Sequence, residues 1–298
     1  QGSVSFSAAG LADTLERCSA EGTDLPDLGP PRRLFTLTGG FPELLVAPSL
    51  PDEESALIRS QRTLRSDAVE RAVYKDIPQA FGVDNPMMLE RLLYVLAGQF
   101  TGILSPSNIC QSLEGLSQAT FDRYLSYLTE AYLVFTLQNY SGSEETRQRR
   151  GRKLYFVDGA VRNAALQRGA GPLEDGKEMG HLIENLVAGH LHALGQQSQV
   201  RLYYWKERRE EVDLIYDHPT APLAFEVGSS ASHSRAALGR FQERFPRFEN
   251  RCYLVAPRAP LLRPSEASGG IGTVPLELLL LAVGRQAEQK LRERIAVE

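Results

Sequence analysis

Apolar positions along the chain follow helical spacing in some stretches and form short runs in others. They recur three and four positions apart over residues 53–76 and again over 177–194, which is the pattern of helices that bury one face. Short runs rich in β-branched and aromatic residues, typical of strands, follow the second of these helices. The elements predicted there are strand 212–216, strand 223–227, helix 234–245 and strand 251–255. This mixture predicts an α+β protein whose C-terminal part is an α/β domain.

Residues 105–140 have the features of a helix-turn-helix that continues into a β-hairpin. Gly115 falls at the turn, and Ser117 is suited to cap the second helix. Strands over 133–139 and 153–157 then complete a winged helix. In DNA-binding proteins with this motif the second helix enters the major groove.

The loop between these two strands concentrates positive charge. Its basic residues are Arg147, Arg149, Arg150, Arg152 and Lys153. A loop of this kind contacts phosphates without reading bases, and such binding weakens as salt rises. Together with Arg123 on the second helix, it predicts contact with DNA or RNA. The alternatives are a solvated loop and a winged helix used only for packing or protein contact.

Acidic residues mark both strands of the pair 212–216 and 223–227. Asp213 lies at the start of the first strand and Glu226 near the end of the second. Oxygen ligands placed in this way suit Mg²⁺ or Mn²⁺, so Asp213 and Glu226 are candidate metal ligands. The alternative is that these acids are paired with nearby arginines or with solvent.

The order of acids resembles that of restriction-endonuclease-like nucleases. In this chain it consists of Glu184 on a helix, Asp213 on a strand, and then Glu226-Val227-Gly228 on the next strand. The resemblance implies a nuclease-like core with Glu184, Asp213 and Glu226 as candidate catalytic residues. Gly228, however, stands where such nucleases usually keep a lysine that positions the attacking water, and metal-assisted hydrolysis needs that water activated. The expectation is therefore a degenerate site.

A series of short motifs resembles the prokaryotic AAA-type ATP-binding proteins that carry a C-terminal domain of unknown function. The matching segments are Gly39-Gly40-Phe41-Pro42-Glu43, Tyr74-Lys75-Asp76-Ile77, Asn85-Pro86, Tyr155-Phe156-Val157-Asp158, Glu184-Asn185, Tyr204-Trp205 and Glu211-Val212-Asp213. The resemblance implies a winged helix, a restriction-endonuclease-like domain and a preceding ATPase module. No G-x-x-x-x-G-K-[ST] phosphate loop occurs in the 298 residues, so ATP is expected only if that module precedes this chain.

Composition narrows the class of protein without adding a site. Apolar residues make up 42% and charged residues 23%, which are values of a globular protein. Three separated cysteines form no Cys-x-x-Cys pair, so neither a zinc site nor a disulfide framework is expected. The net charge of −4 leaves room for a local basic patch. The sequence contains no membrane-length apolar run, and a cytoplasmic location is predicted.

The predicted organisation has three parts: a linker or remnant of a preceding module over 1–45, a helical region with the winged helix over 46–158, and a restriction-endonuclease-like domain over 159–298. The leading hypothesis is an effector region, not itself catalytic, that binds nucleic acid or a protein partner. One alternative is an active Mg²⁺-dependent nuclease. The other is a protein-interaction module, such as one that forms homo-oligomers, with no nucleic-acid binding.

Overall fold

A computed structural model describes residues 10–21, 27–41, 44, 53–141, 144–145 and 151–295. Pro42 and Glu43 of the Gly-Gly-Phe-Pro-Glu motif, and Arg147, Arg149 and Arg150 of the basic loop, lie outside these ranges. Everything that follows concerns the described residues.

Helices supply most of the regular structure. In chain order they are α1 (Leu11–Glu21), α2 (Gly29–Thr38), α3 (Glu53–Leu64), α4 (Ile77–Phe81), α5 (Pro86–Gly98), α6 (Pro106–Ser112), α7 (Gln118–Glu130), α8 (Gly159–Ala165), α9 (Gly176–Ser198), α10 (Ala236–Arg244) and α11 (Leu276–Ile295). Between α3 and α4 the backbone continues as two π-helical segments, Arg65–Glu70 and Ala72–Asp76. Residues 53–76, predicted as one amphipathic helix, thus remain helical throughout.

The strands form antiparallel and parallel pairs. In chain order they are β1 (Val134–Asn139), β2 (Lys153–Phe156), β3 (Leu202–Glu207), β4 (Glu210–Tyr216), β5 (Leu223–Val227), β6 (Cys252–Ala256) and β7 (Ile271–Pro275). The antiparallel pairs are β1 with β2, β3 with β4, and β4 with β5. The parallel pairs are β5 with β6 and β6 with β7, and the last two residues of β1 also pair in parallel with β3.

Contacts within the chain define two compact units. The helical unit comprises Pro31–Leu137 and Gly151–Leu186, and the sheet unit comprises Gln1–Pro30, Gln138–Arg150 and Val187–Glu298. These units are interleaved along the chain, whereas the organisation predicted from the sequence was linear, with boundaries at residues 45 and 158. Strand β1 and helix α9 each contribute residues to both units.

The core of the helical unit is built from leucine-rich helix faces. On α5, Leu89, Leu92, Leu93 and Leu96 are fully buried. The helix starts where the Asn85 side chain accepts a hydrogen bond from the Met88 backbone N–H, with Pro86 in the first turn. Helix α7 begins in the same way, because the Ser117 hydroxyl accepts from the Thr120 N–H at 3.1 Å. The start of α7 at Ser117 was predicted from the sequence.

The core of the sheet unit is largely aromatic. Phe241 on α10 packs against Trp205 on β3 and against Phe248, with ring centroids 5.5 and 4.8 Å apart. Tyr140 meets Phe241 and Phe248 edge to face. Edge-to-face and tilted pairs of this kind fix side-chain orientation as well as bury area. Helix α10 is thereby held against the strands that carry the acidic residues.

The α+β class predicted from the sequence is confirmed: helices come first, and most strands follow in the C-terminal part. Strand β7, which begins at Ile271, was not predicted from the sequence. Strand β3 was not predicted either. Its first four residues are buried, so it lacks the alternation of a strand with one wet face. No helix among the described residues has the length and apolarity needed to cross a bilayer.

Candidate functional site

Asp213 and Glu226 lie on paired antiparallel strands of the sheet unit. Leu214 faces Phe225 across the β4–β5 ladder, so the next step of the same register places Asp213 opposite Glu226. Residues opposite each other in an antiparallel pair share one face of the sheet. The Oδ2 atom of Asp213 accepts a hydrogen bond from the Val227 backbone N–H at 2.9 Å. Asp213 is 9% exposed, so one of its oxygens serves to hold the end of β5.

His233 occupies the space next to Gly228. A Cβ atom added at Gly228 would lie 2.6 Å from the His233 Cβ, 2.9 Å from its Cγ and 3.2 Å from the Ser230 carbonyl oxygen. The His233 Nε2 atom lies 3.4 Å from Oε1 of Glu226. Position 228 therefore has no room for a longer side chain unless His233 moves, and an imidazole approaches the neighbouring carboxylate.

Glu184 has a lysine partner in the helical unit. Its Oε1 atom lies 2.9 Å from the Lys153 Nζ atom and accepts a hydrogen bond from the Tyr155 hydroxyl at 2.8 Å. Lys153 itself is only 1% exposed. Its ammonium group is therefore buried against Glu184, which does not favour contact with a phosphate, and contact of Lys153 with nucleic acid stays a prediction. Lys153 belongs to strand β2 and not to the loop that precedes it.

The remaining basic candidates differ in their surroundings. Arg152 is exposed and precedes β2, while Arg123 is exposed on α7, with a guanidinium nitrogen 3.5 Å from the Thr120 hydroxyl. Arg147, Arg149 and Arg150 lie outside the described residues. Contact of any of these arginines with DNA or RNA stays a prediction.

The outer face of α7 is not suited to reading bases. Gln118 donates to Asp122 at 3.3 Å, and Ser126 donates to Glu130 at 3.2 Å. Direct readout needs polar side chains that can turn to base edges. The acidic partners also oppose the approach of phosphates. Helix α7 is therefore a poor recognition helix, although it stands in the order expected for one.

Metal binding by the candidate ligands Asp213 and Glu226 stays a prediction. Across the described ranges, no group of three or more His, Cys, Asp or Glu side chains is arranged to hold a metal ion. The two acids that face each other, Asp213 and Glu226, remain the closest approach to such a site. One of them is tied to the backbone and the other to an imidazole.

Two family models match the chain, and both are described as domains of unknown function. DUF8612 matches residues 32–171 and DUF4143 matches residues 179–269. Uncharacterized protein MJ1544 of Methanocaldococcus jannaschii is 27% identical over 185 residues, which are 61% of this chain and 38% of that protein. Uncharacterized protein Rv2008c of Mycobacterium tuberculosis is 29% identical over 238 residues, which are 78% of this chain and 51% of that protein. The chain thus spans about half or less of the length of these relatives.

One solved structure is also similar. It is protein VC1899 from Vibrio cholerae, at 14% identity and a TM-score of 0.24, over 78% of this chain and 60% of that one. A likeness at this level carries no argument about fold or function.

Proposed function

We propose that this region binds nucleic acid without cleaving it, as the effector part of an AAA-type ATP-binding protein. The observation that carries the proposal is His233 in the space beside Gly228. A nuclease-like strand pair with no space for this lysine keeps the arrangement of its carboxylates. It lacks the residue that would position the attacking water. What such a domain retains is a pair of facing carboxylates, Asp213 and Glu226, on two paired strands.

Hydrolysis of a phosphodiester by a metal-dependent site needs a held metal ion and an activated water. In the sheet unit, Oδ2 of Asp213 accepts from the Val227 N–H, so that oxygen is already used in the fold. Glu226 is close to His233 rather than to a lysine. Both features favour binding over catalysis.

The proposal that a winged helix contributes binding rests on the order of elements in the helical unit. Helices α6 and α7 are followed by the β1–β2 hairpin, and exposed Arg152 enters β2. Because the outer face of α7 carries acids, contact with phosphates is assigned to the loop before β2. Such contact is independent of sequence and sensitive to salt.

The link to an ATP-binding module rests on similarity. DUF4143 domains are commonly found with AAA ATPase modules, and the curated relatives are much longer than this chain. The 298 residues contain no phosphate loop, so in this proposal ATP binds outside them and changes how the region is presented to nucleic acid.

Tyr132 favours a second candidate function, contact with a protein partner. It is 81% exposed and has a φ of 56° just after α7. The N–H groups of Tyr132 and Leu133 donate to the carbonyls of Thr129 and Leu128, which is the helix ending that normally has glycine at the Tyr132 position. An exposed aromatic ring held at that position is suited to a protein interface.

The test is a cleavage and binding assay on one sample. The protein is mixed with fluorescein-labelled single-stranded and duplex DNA and with RNA of the same sequence, with Mg²⁺ or Mn²⁺ added, and compared with Asp213→Asn. We expect higher anisotropy and intact oligonucleotide for both proteins. Cleavage that disappears in Asp213→Asn would establish the nuclease instead. Absence of any binding at low salt would leave the protein-contact function.

A further inference from the structure

The hairpin between β3 and β4 ends in two adjacent arginines. Strand β3 ends at Glu207 and β4 begins at Glu210, so Arg208 and Arg209 form the whole turn. Both are exposed, and Arg208 has a φ of 55°. A two-residue turn with positive φ favours glycine or asparagine. Arg208 is therefore not the residue that the turn itself would select.

The acids beside the turn do not cancel the charge of its arginines. Glu207 and Glu210 face each other across the ladder, and each is paired with an arginine of α10. Glu210 lies 3.0 Å from Arg240 and Glu207 lies 3.7 Å from Arg244. In the part of the chain that the structure describes, no ion pair or side-chain hydrogen bond joins Arg208 or Arg209 to an acid. The tip therefore presents two guanidinium groups to solvent.

A groove of about 530 Å³ lies between this tip and α10. Its lining residues are Trp205, Glu207, Arg208, Arg209, Glu210, Arg240, Glu243 and Arg244. Trp205 is 3% exposed and packs on Phe241, so the wall beneath the arginines is rigid. Apart from this buried indole, the lining is entirely charged.

The residues that line the groove distinguish between two kinds of anionic partner, an acidic protein segment and a nucleic acid. A protein interface needs an apolar centre from which charged residues are depleted, and this groove offers no exposed apolar side chain. Nucleic-acid interfaces are polar and positively charged, and the planar guanidinium fork matches a phosphate in a bidentate way. We propose that the groove binds the phosphodiester backbone of nucleic acid, with Arg208 and Arg209 each contacting a phosphate.

This inference rests on the proposed function and adds contact residues that are distinct in sequence from the basic loop before β2. Glu243 is the exposed acid of the groove that has no arginine partner among the described residues. Its charge opposes a phosphate. We therefore expect that replacing Arg208 by an uncharged residue weakens DNA binding and that replacing Glu243 by an uncharged residue strengthens it.

The experiment measures the affinity of a labelled single-stranded DNA for the full chain as salt is raised. The test variant is Arg208→Gly with Arg209→Gln. Glycine suits the backbone at position 208, so the variant should fold at least as well as the unchanged protein, which a melting curve checks. We expect affinity to fall several-fold and the negative slope of log K against log salt to become shallower by about 1.4, since each single-strand phosphate contact contributes about 0.7 to its magnitude.

Arg258→Gly is the matched control. Arg258 is an exposed arginine of the sheet unit with a φ of 56°, and it does not line the groove. The control loses the same kind of residue from the same backbone conformation, and we expect its slope to stay close to that of the unchanged protein. Glu243→Gln should bind DNA more tightly.

Each alternative result has a separate meaning. If the unchanged protein binds DNA but the double variant shows the same affinity and slope, the groove is not a contact surface and the proposed function stands. If the unchanged protein binds no DNA at low salt, both proposals fail. If a labelled polyglutamate peptide binds with the same dependence on Arg208 and Arg209 and DNA does not, the partner is an acidic protein segment and the inference is overturned.

Discussion

Gly228 and His233 show how the surroundings of one residue limit the chemistry of its neighbours. Glycine at position 228 has an ordinary backbone conformation, so nothing in the backbone requires it. The requirement comes from His233, whose Cβ and Cγ stand where a side chain would begin. The packing of His233 therefore opposes any side chain at this position.

Replacing Gly228 by lysine should destabilise the sheet unit and should not create a nuclease. The added Cβ overlaps His233 and crowds the Ser230 carbonyl, and overpacking of this kind costs about 1–3 kcal/mol. Urea unfolding measures the loss. His233→Gly in the same chain should recover most of it, because the two positions are in contact. Unchanged stability of the single variant would show that the space is open.

Lys153 is the second residue whose surroundings settle its role. Replacing it by methionine leaves the partly buried Glu184 without its ammonium partner, which costs about 3–5 kcal/mol. Adding Glu184→Gln should restore part of the loss, and chemical denaturation of the two single variants and the double variant measures the coupling. If the losses in the free energy of unfolding of the two single variants simply add in the double variant, the two side chains do not interact directly.

At the scale of elements, Asn185 joins α9 to β2 within the helical unit. Its Oδ1 accepts from the Phe156 N–H at 2.8 Å, and its Nδ2 donates to the Phe156 carbonyl at 3.0 Å. The side chain therefore supplies both hydrogen bonds that a neighbouring strand would give Phe156. Asn185 is fully buried, so neither bond is replaced by water when it is lost.

Asn185→Leu should detach β2 from α9. Two buried backbone groups lose their partners, at about 1–3 kcal/mol each. Hydrogen exchange of the Phe156 amide should become much faster, while amides of β5 in the sheet unit serve as the reference. Unchanged protection at Phe156 would mean that the Asn185 side chain does not hold this strand.

The positions of secondary-structure elements could be predicted from the sequence more accurately than the contacts between side chains. Strand 223–227 was placed correctly because turn residues bound a short apolar run. Strand β3 was missed because burial of both faces removes the alternation that identifies a strand. Lys153 was counted with the basic loop, although strand 153–157 was predicted to begin with it, because a run of charges does not show which of its members is buried. Its pairing with Glu184 joins residues 31 positions apart in sequence, which local pattern cannot show.

At the scale of the whole molecule, the two units carry separate cores and should respond differently to acid. In the helical unit, burial acts to raise the pKa of Glu178, but hydrogen bonds from Arg168 and Arg162 outweigh it and hold the pKa below the ordinary value of 4.5. A carboxyl whose folded pKa is depressed stabilises the fold above the ordinary pKa. This contribution is lost as pH falls from about 4.5 through the lower folded value.

Glu178→Gln should therefore flatten the acid limb of the stability curve. The variant is less stable at neutral pH and loses less as pH falls below about 4.5, as thermal melts at a series of pH values would show. Glu288→Gln on α11 is the control. Hydrogen bonds from Arg292 and Arg285 also lower the pKa of Glu288, but solvent screens this exposed group. An equal effect of both variants would contradict the buried role of Glu178.

The whole chain is acidic, with a net charge of −4, so binding to a polyanion must come from local surfaces. Two are available: the loop that leads into β2 and the tip of the β3–β4 hairpin. Local positive surfaces on an acidic protein give binding that falls steeply with ionic strength, because released counterions drive it. Specific base contacts play no part in this account.

The measurement that tests the account most directly is the anisotropy of a labelled single-stranded DNA over a salt titration with Mg²⁺ present, followed by a denaturing gel of the same samples. The account predicts a straight line of negative slope in log K against log salt, and DNA of unchanged length. An affinity that does not depend on salt, absence of binding at low salt, or shortened DNA would contradict salt-sensitive binding without cleavage.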